Sequence, residues 1–230
     1  MSTIMLVHGA WHGSWCWERV IPELEARGHR TLTVDLPSDR PERSFEDYAG
    51  VVVDALARED DDVVLVGHSL AGLTIPLVAA RRPLGGLVYL CSLVPLPGRS
   101  VLEQLGVEPD ALLPGYEAGV EDDENGTGTW IDAEIARRIL YADCDDEVAE
   151  AAIARLRPQA RTPYEVPCPL DELPEVRSTY VVCGEDRLVN PDWSRRVATG
   201  RLGAEMIELP GSHSPFLSRP ADVAELLDRL

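Results

Sequence analysis

The chain has 230 residues, the size of one domain with a modest insertion, and 45% of them are hydrophobic, enough for a sizeable core. Its 40 Asp and Glu against 21 Lys and Arg give a net charge of −19, which repels nucleic-acid phosphates and anionic membranes and serves solubility. No apolar run approaches the roughly 20 residues that cross a bilayer, and Ile4–Val7 is too short for a secretory signal, so a cytoplasmic location is expected.

In chain order, Ile4–Val7 is a continuous apolar run, as expected for a strand buried on both faces of a parallel sheet. Ser14 opens a helical stretch to Arg27, closed by Gly28. Thr31–Val34 is the second strand. Ser44, with Asp47 three residues on, resembles a capping box and opens a helix to about Glu59. Val63–Val66 is the third strand, and the helix after it carries Pro76 early, where a bend is expected. Leu87–Leu90, Tyr180–Cys183 and Met206–Leu209 complete six strands, and Val223, Leu226, Leu227 and Leu230 mark a last helix from Pro220. Such alternation predicts an α/β fold with a mostly parallel sheet of about six strands flanked by helices.

The alternation breaks between about Pro95 and Leu173, in a segment rich in Pro and Gly. It carries an acidic stretch, Glu121–Glu124, and helical patterns near Asp132–Tyr141 and Asp146–Arg157. The expected organisation is a core of residues 1–94 and 174–230, with 95–173 an inserted lid at the sheet edge where ligands bind. Within it Glu121, Asp123, Asn125, Gly126 and Asp132 approximate a calcium-loop spacing. Their end residues are wrong for that loop, and Asn125-Gly126 reads better as a hairpin turn. Five cysteines show no C-x-x-C pair, and Cys91 and Cys183 lie in apolar runs as small hydrophobes.

The strongest chemical signal is Val63-Val64-Leu65-Val66-Gly67-His68-Ser69-Leu70-Ala71-Gly72. A strand ends in a tight turn with Ser at its apex, the arrangement that lifts a nucleophilic hydroxyl on a strained backbone. Ala71 stands where the usual G-x-S-x-G pattern has its second Gly. Alone, Ser69 reads equally well as a helix N-cap. The remaining parts of a triad decide the matter. Asp186 follows the run ending at Cys183, and His213 follows the run ending at Leu209. The parallel strands would bring all three to one edge, with Ser69 as nucleophile, His213 as base and Asp186 as supporting acid. Glu185 is the nearest competitor to Asp186, and Asp35 precedes Ser69 and breaks the order. The first strand ends in His8-Gly9-Ala10-Trp11, so the backbone N–H groups of Ala10 and Leu70 are the candidate oxyanion donors. His8 and His12 have no third metal ligand nearby and read as structural; no metal or cofactor is expected.

These motifs, together with His12-Gly13-Ser14-Trp15 and Cys183-Gly184-Glu185-Asp186, resemble the α/β-hydrolase superfamily, in particular its plant methyl-ester esterase and hydroxynitrile lyase-like group. The resemblance implies the α/β-hydrolase fold and a small-molecule ester substrate cleaved through an acyl-enzyme. The lyases of the group are known for a Thr in the first turn and a Lys after the catalytic His; here stand Gly9 and Ser214. The resemblance therefore implies the esterase branch. A lyase-like activity at the same triad, or a ligand-binding protein that keeps it, are the alternatives. Trp11 and Trp130 are candidates for the apolar substrate walls.

Overall fold

A strand without a polar face is stable only as the middle layer between helices. The computed structural model, which describes residues 2–230, builds that layer from the predicted runs. The first four strands are β1 (Thr3–Val7), β2 (Arg30–Val34), β3 (Val63–His68) and β4 (Gly86–Leu90). After three short strands, β5 (Val120–Asp122), β6 (Thr127–Trp130) and β7 (Gln159–Ala160), the chain returns with β8 (Ser178–Cys183) and β9 (Glu205–Leu209). The main sheet runs β2-β1-β3-β4-β8-β9, parallel throughout.

Its register sets the functional edge. Val7 lies beside Gly67, Leu90 beside both His68 and Val181, and Cys183 beside Leu209. The loops that follow β1, β3, β8 and β9 therefore emerge together.

The helices on the sheet begin with α1 (Ile21–Ala26), α2 (Phe45–Ala55) and α3 (Ile75–Ala79). The stretch expected as one helix from Ser14 to Arg27 is instead a 3₁₀ turn, Ser14–Trp17, followed by α1. Pro22 has no N–H to bond back into a preceding turn, so it can only sit in a first turn. Pro76 acts the same way: a 3₁₀ segment, Ser69–Leu73, precedes α3. The expected capping box is present, with Asp47 N donating to Ser44 Oγ and Ser44 N to Asp47 Oδ2.

Between β4 and β8 lie α4 (Val101–Val107), α5 (Ala133–Leu140), α6 (Asp146–Ile153) and α7 (Thr162–Glu165), around an antiparallel sheet ordered β5-β6-β7. The turn between β5 and β6 is built on Asp123, whose Oδ1 accepts the amides of Asn125 and Thr127, with Gly126 at φ 71°. Asp132 caps α5 by accepting the Glu134 and Ile135 amides. The residues of the calcium-like spacing thus serve a hairpin and a helix cap. Among the described residues no group of three or more His, Cys, Asp or Glu could hold a metal ion, and no helix is long and apolar enough to cross a membrane. The chain closes with α8 (Pro191–Gly200), α9 (Pro215–Ser218) and α10 (Pro220–Asp228), the last packed on α1. All five cysteines are free thiols, and Cys91 and Cys183 are buried.

Candidate active site

Ser69 follows β3 with φ 52°, in the left-handed region that is costly for any residue with a Cβ. The turn packs this tightly because Gly67 and Gly72, on either side of it, have no side chains. A Cβ on Gly67 would lie 2.8 Å from Ile75 Cγ2 and 3.0 Å from the Ala71 carbonyl oxygen. One on Gly72 would overlap the Leu93 carbonyl oxygen. The close approach after the serine therefore falls on Gly72, one residue beyond the usual place, and Ala71 is buried without conflict.

The sheet edge brings together the three residues that the motifs single out. Ser69 Oγ lies 3.0 Å from His213 Nε2, and His213 Nδ1 lies 2.8 Å from Asp186 Oδ2. The Asp186 and His213 side chains are 2% and 1% exposed, so their contact is shielded from water. The other carboxylate oxygen of Asp186 accepts the amides of Leu188 at 2.8 Å and Val189 at 3.1 Å, which fixes the carboxylate plane. Glu185 points to solvent. Asp35 is also exposed and accepts the Ser14 amide, far from this chain of hydrogen bonds in role.

Around the turn after β1, donor and acceptor logic fixes two imidazole tautomers. His8 Nε2 accepts the Leu36 amide, so Nδ1 carries the proton and donates to the Gly9 carbonyl at 2.8 Å. His12 Nδ1 donates to the Ala10 carbonyl at 2.9 Å, leaving Nε2 to accept the Tyr141 hydroxyl at 2.8 Å. Burial holds both rings neutral, with pKa values pushed down to about 4 for His8 and about 3 for His12. His68 is driven well down for the same reason, and its Nε2–H donates to the His213 carbonyl. These histidines shape the site.

Trp11 also adopts a left-handed conformation, φ 60°, and is held at three points. The Ala10 carbonyl before it is bound by His12, its own carbonyl accepts the Arg157 amide at 2.7 Å, and its indole N–H donates to the Gly128 carbonyl at 3.2 Å. Neither the Ala10 nor the Leu70 amide donates to a protein acceptor among the described residues. Both residues line a cavity of about 350 Å³ beside Ser69.

Trp11, Leu93, Leu188 and Val189 supply the core side of that cavity, and Leu102, Leu112, Tyr116, Val120, Gln159, Arg161 and Tyr164 supply the other. Trp130 is not on the wall. It packs edge-on against Trp11, ring centroids 5.4 Å apart, with its ring held against Gly119, where a Cβ would meet it at 2.7 Å. No hydrophobic period in the sequence marks the lining residues between 102 and 164; their shared feature is a tertiary one.

A family model described as the alpha/beta hydrolase family matches residues 4–226. The chain belongs to that family. It is 31% identical over 253 residues to a carbendazim hydrolyzing esterase of Nocardioides sp., covering 100% of both chains. It is 30% identical over 251 residues to methylesterase 9 of Arabidopsis thaliana, covering 100% of this chain and 97% of the relative. Among solved structures, the pyrethroid hydrolase of Sphingobium faniae superposes with a TM-score of 0.82 at 26% identity, covering 99% of this chain and 96% of the other. The resemblance to plant methylesterases read from the motifs thus extends along the whole chain.

Proposed function

We propose that the protein is a serine esterase that hydrolyses carboxylic esters of small, apolar molecules through an acyl-enzyme. The observation that carries the reading is the continuous chain Ser69–His213–Asp186 opening onto a largely apolar cavity. The esterase and hydrolase names of its relatives support the same chemistry.

In this reaction His213 Nε2 takes the Ser69 proton as Oγ attacks the ester carbonyl. Asp186 keeps the imidazole proton on Nδ1 and stabilises the imidazolium that forms. The Ala10 and Leu70 amides, free of protein partners, receive the negative oxygen of the tetrahedral intermediate. His213 then protonates the departing alkoxide, and water cleaves the acyl-enzyme with the same proton transfers in reverse. No step calls for a metal or an organic cofactor. Residues 95–173 act as the lid, since one side of the cavity is theirs.

Two positions weigh against the lyase alternative. A Cβ on Gly9 would meet Ser69 Cβ at 2.7 Å, so this turn has no room for a threonine. Ser214 is buried and uncharged and offers no cation to a departing anion.

Hydrolysis of short p-nitrophenyl esters by the wild type and by Ser69→Ala tests the proposal. Turnover by the wild type, reduced by several orders of magnitude in Ser69→Ala, is the expected result. Activity surviving the substitution, or a wild type inert across the ester series, would overturn it.

A further inference from the structure

Two contacts, one buried and one part-buried, reach the catalytic loops from one short stretch between α5 and α6. The first is the Tyr141 hydroxyl on His12 Nε2, at 2.8 Å, with both residues buried. The second lies two residues on, where Asp143 Oδ1 accepts the hydroxyl of Ser212, the residue before His213. Asp143 also stands directly against the bend that precedes Ser212. Gly211 has φ 114°, and a Cβ there would lie 2.6 Å from Asp143 Oδ2. Arg219 flanks the same carboxylate, its Nε 3.7 Å from Oδ2.

We propose that Tyr141 and Asp143 are positioning residues for the ester hydrolysis proposed above, Tyr141 holding the Ala10 turn through His12 and Asp143 holding the histidine loop through Ser212. The inference rests on that functional reading.

The physical argument begins with the peptide group. A trans peptide is planar and points its C=O and N–H in opposite directions, so an acceptor pinned on one side aims the donor on the other. His8 pins the Gly9 carbonyl and thereby aims the Ala10 N–H away from itself. His12 pins the next carbonyl, that of Ala10, and fixes the peptide leading into the left-handed Trp11. Ala10 is thus clamped between two oriented peptides. The second clamp depends on Tyr141, because among the described residues only its hydroxyl donates to His12 Nε2. Without that donor Nε2 is left an unpaired buried acceptor; a proton moved there would face no acceptor, so the ring regains a partner only by turning, which releases the Ala10 carbonyl. The Asp143 contact does the equivalent work one loop away. One turn of the inserted segment therefore sets the spacing between the oxyanion donors and the base. A shift there is felt by the tetrahedral transition state more than by the bound ester.

The test compares wild type with Tyr141→Phe, Asp143→Ala and Asp143→Asn. Steady-state hydrolysis of p-nitrophenyl acetate is paired with ¹⁵N–¹H NMR of the histidine side chains, which reads the tautomers whether or not ester is turned over. The wild type is expected to show His12 protonated on Nδ1. Tyr141→Phe should lower kcat by roughly 10–100-fold, leave KM within about twofold, and move the His12 Nε2 resonance as that nitrogen loses its donor. Asp143→Ala should lower kcat about tenfold, and Asp143→Asn, which still offers Ser212 an acceptor, should recover most of it. Should Tyr141→Phe fail to fold, the wild-type tautomer and the Asp143 pair decide.

A wild type with His12 protonated on Nε2, an unchanged kcat in the variants, or a loss confined to KM would overturn the inference while leaving the esterase reading intact. A wild type that turns over no ester, with the expected tautomer present, would remove the esterase reading and this role with it.

Discussion

Gly9 and Ser69 approach so closely that a methyl group on Gly9 would stand 2.7 Å from the Ser69 Cβ and 2.9 Å from the His68 carbonyl oxygen. One obstacle is backbone and the other is the proposed nucleophile, so neither can move without disturbing the site. Gly9→Ala is expected to lower kcat toward p-nitrophenyl esters by about 100-fold and to cost about 1–3 kcal/mol of stability. Kinetics and urea unfolding measure the two effects; a fully active variant would mean that the turn is looser than described.

The bonds to Asp186 make Asp186→Asn a severe substitution. The Leu188 and Val189 amides need an acceptor, so they would hold the asparagine oxygen and turn its NH₂ toward His213 Nδ1. Donor would then face donor, and the imidazole proton would move to Nε2, where it blocks proton abstraction from Ser69. A fall in kcat of about 10³–10⁴ is expected with little change in fold. Near-normal turnover by Asp186→Asn would remove Asp186 from its role.

Ala71 and Gly72 should respond in opposite ways. Ala71→Gly restores the common spacing pattern yet relieves no contact, and should leave activity within about threefold and cost roughly 0.5–1 kcal/mol in stability. Gly72→Ala drives a methyl into the Leu93 carbonyl. Its destabilisation should exceed that of Ala71→Gly by about 2 kcal/mol or more, as judged by thermal or urea unfolding of both variants.

Stability should decline in mild acid before the carboxylates titrate. His8, His12 and His68 are neutral in the folded state with pKa values lowered by burial, to about 4 and about 3 for the first two. The unfolded chain binds protons at these histidines near the ordinary value of 6.5. Their contribution is therefore complete above pH 6.5 and is lost as pH falls toward the folded values, at about 1.4 kcal/mol per pH unit for each histidine. Urea midpoints between pH 7 and pH 5 should drop accordingly, and less steeply in His12→Asn. A flat profile over this window would show that the rings are not buried neutral.

The central sheet was readable because strands covered on both faces must be apolar throughout, and Leu65, Val88 and Val181 sit in runs that admit no other reading. Ser69 and Asp186 were readable because each stands just beyond such a run, and His213 because it follows the edge strand β9, which carries Glu205 and Glu208 and is largely exposed. The second sheet was not. Its strands are two to four residues long, and Thr127-Gly128-Thr129-Trp130 has neither alternation nor an apolar run; only the Asn125-Gly126 turn announced it. The capping box of Ser100 and Glu103 at α4, by contrast, is a signal legible from spacing alone. Trp130 shows a different limit of pattern. Composition identifies a bulky ring near the site, but only packing distinguishes a ring that lines a cavity from one that supports it.

The hydrogen bond between Ser69 and His213 joins residues 144 positions apart, on strands separated in the sheet by β4 and β8. During synthesis the turn that strains Ser69 can be complete, with β1, β3 and β4 in register, long before the histidine has been translated. Until β9 docks, the Ser69 hydroxyl has no imidazole beside it, and under the proposed mechanism a chain stopped or clipped ahead of residue 213 carries a shaped but silent serine. On the proposed mechanism competence arrives last and all at once, so that ester turnover would count only chains whose far end has found its place.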